Sequence, residues 1–402
     1  MSKNHQTEVL VVGAGPVGLA TALKLARRGI QVEIIDKQWR TGVHSYALAN
    51  HSRSLDLLDD LGVLEQLAAL GHKVDRLTFY RGEESQGTLS WTELGGRHPH
   101  VLVTPQSTLE GALEAALKEA GTTVRWNHRL QELQGATPTA EIARLEQVAS
   151  GYPVARMEWS VAGVSRTEAT FVVGADGYRS RIREKIGIQI EQVTEPDTFS
   201  VFECDTSMDL GNEVRVVLDE AGTSVVWPMK DGRCRWSFQI AGGDHHRPTV
   251  EGLNALIRAR APWFPATKGP IHWSSAVMFA RRLAGGLGAG SVWLAGDSAH
   301  MAGPAGVQSM NAGLIEGCDL ANRLADILEK KATTTILGDY QVATISRWRA
   351  LLDMDQGLKA TAKATPWVAQ NAAAILASVP ATGGDLATLL AQIGLEFDTP
   401  AG

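Results

Sequence analysis

A glycine-rich turn near the start of the chain, Gly13-Ala14-Gly15-Pro16-Val17-Gly18, constrains its fold more than any other feature. Val9 to Val12, just before it, is apolar at every position, as a strand buried on both faces requires. A helix is expected from about Pro16 to Arg28, with Gly29 placed to end it. A second strand, Val32 to Ile35, then delivers Asp36, 18 residues beyond Gly18. The succession of strand, glycine turn, helix, strand and acid separates a dinucleotide fingerprint from a chance GxGxxG. Gly13 permits the tight turn, Gly15 lets the backbone approach a pyrophosphate, and Gly18 allows close helix–strand packing. Pro16 and Val17 open the helix, whose N-terminus offers unpaired N–H groups and partial positive charge. Asp36, followed by Lys37, is suited to accept from ribose hydroxyls and disfavours a 2′-phosphate, so the resident nucleotide is FAD or NAD rather than NADP.

Two later segments choose between them. Val292 to Leu294 reads as a buried strand and runs into Ala295-Gly296-Asp297. Ligands of open α/β sheets sit at the carboxyl ends of strands, so Asp297 faces the same crevice as Gly15. NAD has no ribityl chain for that carboxylate to hold, whereas FAD does. Gly303-Pro304-Ala305-Gly306-Val307-Gln308-Ser309-Met310-Asn311 follows and leads into a long amphipathic helix over Ser309 to Lys330, whose N-terminus suits the negative charge of a reduced flavin. Gly174-Ala175-Asp176-Gly177 ends a third apolar run. Each acid also has a plainer interpretation: Asp297 as a helix cap before Ser298, Asp176-Gly177 as a simple turn. His44 and His300 are isolated and receive no catalytic role.

At 402 residues the chain is long enough for two domains. The fold class expected is α/β: a Rossmann-like FAD-binding domain (1–73, 106–197 and 282–402, with C-terminal helices from about 335) interleaved with a sheet-rich substrate domain (74–105 and 198–281). Residues 53–70 and 107–120 read as helical, 249–260 as a helix between strands, and the Ala-rich 355–393 as two or three helices. Residues 134–151 read as an exposed insertion in which Thr137-Pro138-Thr139 leads into a charged helical run. A net charge of −6 gives no reason to expect nucleic acid or an anionic membrane. No run of about 18 apolar residues or signal-peptide core is seen. Cys204, Cys234 and Cys318 lack metal-site spacing, so no metal is expected and the cytoplasm is the default compartment.

Together these segments resemble the single-component FAD-dependent aromatic hydroxylases, the flavoprotein monooxygenases of the para-hydroxybenzoate hydroxylase and phenol hydroxylase type, with the GR2-type FAD-binding domain. The likeness rests on the fingerprint, on Thr104-Pro105-Gln106-Ser107, on Val173-Gly174-Ala175-Asp176-Gly177-Tyr178-Arg179-Ser180-Arg181-Ile182-Arg183, and on the stretch from Leu294 to Asn311. It implies that Gln106 lies beside the flavin and that Asp176 serves the groove used by FAD and the nicotinamide donor. It further implies that Asp297 contacts the ribityl hydroxyls, that Gly306, Met310 and Asn311 meet the pyrimidine edge, and that the Pro304 carbonyl faces the substrate. Trp227, Pro228 and Met229 are candidates for the pocket wall or, equally, a strand end with core packing.

The activity implied is a monooxygenase: NADH or NADPH reduces FAD, O₂ is captured as a flavin C4a-hydroperoxide, and one oxygen passes to an aromatic or phenolic small molecule. The cofactor carries that chemistry, so no acid–base pair is required and none is seen. A flavin-dependent reductase on the same scaffold, or a non-catalytic flavin-binding protein, are the alternatives; a halogenase is a weaker one, as the W-x-W-x-I-P signature is absent. Tyr46 stands where the family has a pyrophosphate-contacting arginine, and Gly306-Val307-Gln308-Ser309 replaces a G-G-Q-G loop, stiffening it. The chain also ends without the extra C-terminal domain of the phenol hydroxylases, as compact members do. The sequence leaves the oligomeric state open, a homodimer included.

Overall fold

Buried parallel strands need apolar residues throughout, and the chain supplies four such runs that align in one sheet. The computed structural model describes residues 4–40, 47–150, 156–240 and 249–398. Across the sheet the order is Gly288–Ala289, Val292–Leu294, Arg156–Gly174, Asn4–Val12, Val32–Ile35 and Val124–Arg125. Every pairing but the first is parallel. Val12 lies opposite both Gly174 and Ile35, and Gly174 opposite Leu294, so four strands end in register. The helix Pro16–Arg27 follows the glycine turn, and Gly29, at φ +76°, ends it. Residues 53–70 form two helices, Ser52–Asp60 and Leu64–Leu70, because Gly62 at φ +58° interrupts them.

The charged run after Pro138 is a strand and not a helix. Thr139–Ser150 pairs antiparallel with His128–Gln134 on one side and Arg156–Gly174 on the other. Ala140, Ile142 and Ala143 are fully buried. Register shifts at Glu141/Ile142 and Arg144/Leu145 break the alternation expected of a strand, which leaves a charge spacing that imitates a helix.

The second sheet has seven strands in the order Ile271–Phe279, Asp197–Asp205, Arg233–Ile240, Gly222–Met229, Glu213–Asp219, Arg76–Arg81 and Glu84–Ser90. One face packs on the helix Val250–Arg260 through Leu253 and Ile257, where Trp236 stacks on Phe238 at 4.9 Å. The other face shares a core with the C-terminal helices: Val216, Val225 and Trp227 belong to the same buried cluster as Leu376 and Leu389. Those helices are Pro366–Gln370, Ala372–Ser378 and Gly383–Gln392. The mixed α/β class therefore holds, and no helix among the described residues is long and apolar enough to cross a membrane.

The long helix Gln308–Leu328 lies against Pro16–Arg27 through two glycines. A Cβ at Gly313 would come 2.8 Å from Val17 Cγ2, and one at Gly317 would collide with the Thr21 hydroxyl and reach 3.0 Å from Val17 Cγ1. This close approach aims both helix N-termini at the same cleft. Gly317→Leu is therefore expected to destabilise the protein by about 1–3 kcal/mol or more through overpacking, measured by denaturant unfolding against Gly338→Ala, whose Cβ meets nothing within 4 Å.

Candidate active site

The aligned strand ends make the site. Gly13, Asp36, Ala175-Asp176 and Ala295-Gly296-Asp297 follow the four termini directly and line one edge of the sheet. Two pockets lie along it. One is lined by Gly15, Pro16, Val17, Gln106, Asp297 and the Met301–Pro304 segment, with Val307 and Met310 beyond. The other is lined by Gly13, Asp36, Lys37, Asp176 and a group of arginines.

The three fingerprint glycines differ in what limits them. A Cβ at Gly13 would strike the Ala175 carbonyl, and Gly13 also sits at φ +109°. A Cβ at Gly18 would strike the Gly13 carbonyl, so Gly18 packs the turn and does not line the crevice. A Cβ at Gly15 would meet nothing within 4 Å, and Gly15 caps the Pro16 helix without any side-chain hydrogen bond. Space and unpaired helix N–H groups thus coincide at Gly15, the combination an anionic diphosphate needs. Asp36 accepts from the Ala14 amide at 2.7 Å and from the Gln38 amide at 2.7 Å, and its partly exposed carboxylate retains acceptor capacity.

Asp176 is engaged locally. It accepts from the Ser180 hydroxyl at 2.6 Å and from the Arg181 and Ile182 amides at 2.7 and 3.2 Å, with Gly177 at φ +81°. Burial raises its pKa, against those hydrogen bonds. Arg183 donates to the Ser298 carbonyl at 2.6 Å, tying this turn to the next one. Arg129, Arg179 and Arg282 also border the groove; sequence inspection missed Arg129 and Arg282, which carry no motif signal of their own.

Asp297 behaves differently. Ala295, not Asp297, caps the short turn Gly296–Ser298, so the capping alternative is not realised. Its carboxylate is partly exposed to the cleft and makes no hydrogen bond among the described residues. Burial pushes its pKa up to about 6; His300 opposes the rise and Glu316 adds to it. An acceptor held ready without donors fits a ligand that brings hydroxyls.

The loop before the long helix is tightly held. Val307 caps that helix in the left-handed region, φ +51°, a strained conformation for a β-branched residue. Gly306 donates to the Ala377 carbonyl at 3.1 Å, and Gln308 donates to the Leu376 and Val379 carbonyls at 2.9 and 3.0 Å. His51, buried and held neutral with its pKa lowered to about 3 by desolvation, bonds the Gly306 carbonyl at 3.0 Å. Asn311 is committed as well, accepting from the His51 amide and donating to the Ala49 and Val307 carbonyls. Gln106 accepts from the Ala47 amide at 3.1 Å and borders the cleft.

Met310 and Pro304 line the cleft, whereas Gly306 and Asn311 stand behind it. Trp227 is 2% exposed within the core of the second sheet, and neither Pro228 nor Met229 reaches the cleft. Phe279 and Met301 do reach it, unanticipated because long-range packing alone brings them there. Tyr46 and His44 lie outside the described residues. His300 is fully buried, bonded to Glu316 at 2.5 Å and stacked 3.8 Å from Trp348, away from the cleft lining.

A parallel sheet with a glycine turn, an acid after the second strand and a free carboxylate farther along defines a dinucleotide-binding α/β protein. The family model described as an FAD binding domain matches residues 6–355, and the chain belongs to that family. The 6-methylpretetramide 4-monooxygenase of Streptomyces rimosus is 30% identical over 345 residues, 84% of this chain and 59% of that one. The para-nitrophenol 4-monooxygenase of Pseudomonas sp. (strain WBC-3) is 27% identical over 356 residues, covering 83% of this chain and 81% of that one. Among solved structures, the p-nitrophenol 4-monooxygenase of Pseudomonas putida DLL-E4 superposes with a TM-score of 0.73 at 24% identity over 86% of each chain. The chain spans only about three fifths of the length of the first of these relatives.

Three substitutions test this arrangement. Gly15→Val should leave the flavin-free melting temperature close to that of the wild type and lower FAD affinity by at least about tenfold in a flavin titration, since its side chain would enter open cleft space. Gly13→Ala should instead lower the melting temperature, through φ and the Ala175 contact. The raised pKa of Asp297 means that the flavin-free fold binds its proton more tightly than the unfolded chain, so the stability it contributes falls as pH rises from about 4 to about 6. Asp297→Asn should therefore gain stability relative to wild type across that window and keep the gain above it, while losing FAD affinity; melts from pH 4 to 8 and flavin titrations check both.

Proposed function

We propose that this chain is an FAD-dependent aromatic hydroxylase that takes electrons from NADH or NADPH and inserts one oxygen atom of O₂ into an aromatic or phenolic small molecule. The observation that carries this is the row of pockets in which Gly15, Asp36 and the Asp297 carboxylate, unpaired among the described residues, succeed one another along the strand ends. When bound, FAD supplies both hydride acceptance and oxygen activation.

Each residue then has a physical task. The Gly13–Gly18 turn and the first N–H groups of the following helix would receive the pyrophosphate, and Asp36, with Lys37 beside it, the adenosine ribose. Asp297 would accept from the ribityl hydroxyls, which would favour its ionised form. Gln106 and Met310 would border the ring system, and the backbone around Gly306 would be held to its edge by His51 and Asn311. The N-terminus of Gln308–Leu328 would stabilise negative charge on the reduced ring. Apolar Phe279, Met301 and Val307 would exclude water from the ring's surroundings, and the Pro304 carbonyl would face the substrate. Asp176 would keep its turn closed beneath the groove that FAD and the nicotinamide donor share.

The relatives named for p-nitrophenol support a phenolic substrate. Residues 74–105 and 198–281 would form the substrate-side unit, and residues 1–73, 106–197 and 282–402 the FAD-binding one. The free, buried Cys204, Cys234 and Cys318 support a reducing compartment, the cytoplasm.

The test mixes FAD-loaded protein anaerobically with NADH or NADPH, with and without simple phenols, and follows the oxidised-flavin absorbance. Reduction by one donor, faster with a phenol present, and aerobic turnover giving hydroxylated product in proportion to donor consumed are expected. Flavin that neither donor reduces would leave a binding protein, and donor consumption without hydroxylated product would leave a reductase.

A further inference from the structure

Two of the three cysteines face each other across neighbouring strands of the second sheet. Cys204, next to last in Asp197–Asp205, is the register partner of Cys234, second in the antiparallel strand Arg233–Ile240. Directly opposed residues of such a pair have Cα atoms about 4.5–5.5 Å apart, inside the range a disulfide spans. Their Sγ atoms already lie 3.7 Å apart, and both thiols are free and fully buried. Closing them to a bond of about 2.05 Å takes rotation of the side chains and no change of register. Both belong to the cluster under the helix Val250–Arg260, with Phe202, Trp236 and Phe238, and neither lines the flavin cleft.

The two sulfurs are chemically unequal. Their shared S–H···S contact lowers the Cys204 pKa to about 7, with the Thr267 hydroxyl 3.5 Å away adding to the effect, and raises that of Cys234. Cys204 is therefore the sulfur that ionises, and the thiolate is the nucleophilic form. Cys318 belongs to the other core, where burial pushes its pKa up to about 12. Access follows from position: the two strands end one pair later, at Asp205 opposite Arg233, and the Thr206 amide then donates to the Gly232 carbonyl at 2.9 Å. Local opening of that sheet end admits an oxidant the size of water.

We propose that Cys204 and Cys234 form a peroxide-oxidised dithiol that closes to a cross-strand disulfide and staples the second sheet. The Cys204 thiolate attacks one oxygen of hydrogen peroxide, the O–O bond breaks, hydroxide leaves, and Cys204 becomes a sulfenic acid. The Cys234 sulfur then displaces the sulfenic hydroxyl and the S–S bond forms. The two thiol protons convert both departing hydroxides to water. Two thiols thus lose two electrons in all, and one peroxide is reduced to two waters. The bridge spans 30 positions and encloses the strands Glu213–Asp219 and Gly222–Met229, so it restricts the unfolded chain. The site goes beyond the hydroxylase function and does not depend on it, since peroxide from any source serves.

Intact-mass analysis of the purified protein after hydrogen peroxide treatment and acid quench tests this. Wild type should lose about 2 Da, the two thiol hydrogens, and yield a peptide linking Cys204 to Cys234 that dithiothreitol separates. Its melting temperature should rise by about 2–6 °C. Cys204→Ala and Cys234→Ala should each abolish the mass loss and the rise, whereas Cys318→Ala should keep both. Three thiols still titrating in denatured, peroxide-treated wild type, or oxygen added at Cys204 without a link to Cys234, would overturn the proposal. So would a link that forms only in urea, or a linked protein that melts no higher than the reduced one. The wild-type mass decides the matter even where an alanine variant fails to fold.

Discussion

A ladder of backbone hydrogen bonds at the carboxyl edge of the parallel sheet governs everything else in this molecule. The Gly13 amide donates to the Ile35 carbonyl at 2.8 Å, the Ala175 amide to Val12 at 2.8 Å, and the Ala295 amide to Gly174 at 3.0 Å. Each residue just past a strand is thereby bonded to the last residue of its neighbour. Loops separated by some 280 positions cannot drift apart without breaking these bonds, which makes a single site from three distant segments. Side chains reinforce the ladder: Ser298 donates to the Gly174 carbonyl at 2.6 Å, and Arg183 reaches the Ser298 carbonyl. The arginine that closes the middle motif thus holds the third segment in place.

Above that edge, two helices crossing at glycines bring their N-termini to the crevice. The second of them begins at a strained Val307, where left-handed backbone in a β-branched residue costs of order 1–3 kcal/mol. The bonds from Gly306 and Gln308 to residues 376–379 hold it there, so the C-terminal helices act on the site through the loop they clamp. They also fill the inner face of the second sheet. Cleft and C-terminal packing are consequently one mechanical unit, and a disturbance at Leu376 would be felt at Val307.

What could be read from the amino-acid order follows from how local each signal is. The fingerprint, Asp36 and the stretch around Asp297 were legible because a turn, a helix start and a strand end each constrain adjacent residues. The strand over 139–150 was not, because two register shifts hide its period. The role of Trp227 was open for another reason: its alternation shows that one face is buried, but the cluster it joins draws on residues some 150 positions later, Leu376 and Leu389 among them. Phe279 shows the same limit, being placed by a strand end whose neighbours are remote in sequence.

The charges under the cleft complete the account. Among the described residues, Asp297 is the one of the three motif acids whose carboxylate finds no donor, since Asp36 and Asp176 are both occupied with the backbone of their own turns. Beneath it, His300 and Glu316 are bonded to each other and capped by Trp348, which donates to Glu316 and stacks on the imidazole. Closing that buried pair on itself removes the obvious internal partner for Asp297, because His300 spends its Nε2 on Glu316 and its Nδ1 meets no partner among the described residues. The carboxylate is left facing the cleft at a cost to the flavin-free fold, and hydroxyl donors from a ligand offset that cost. The same feature that weakens the empty protein therefore biases it toward the bound state.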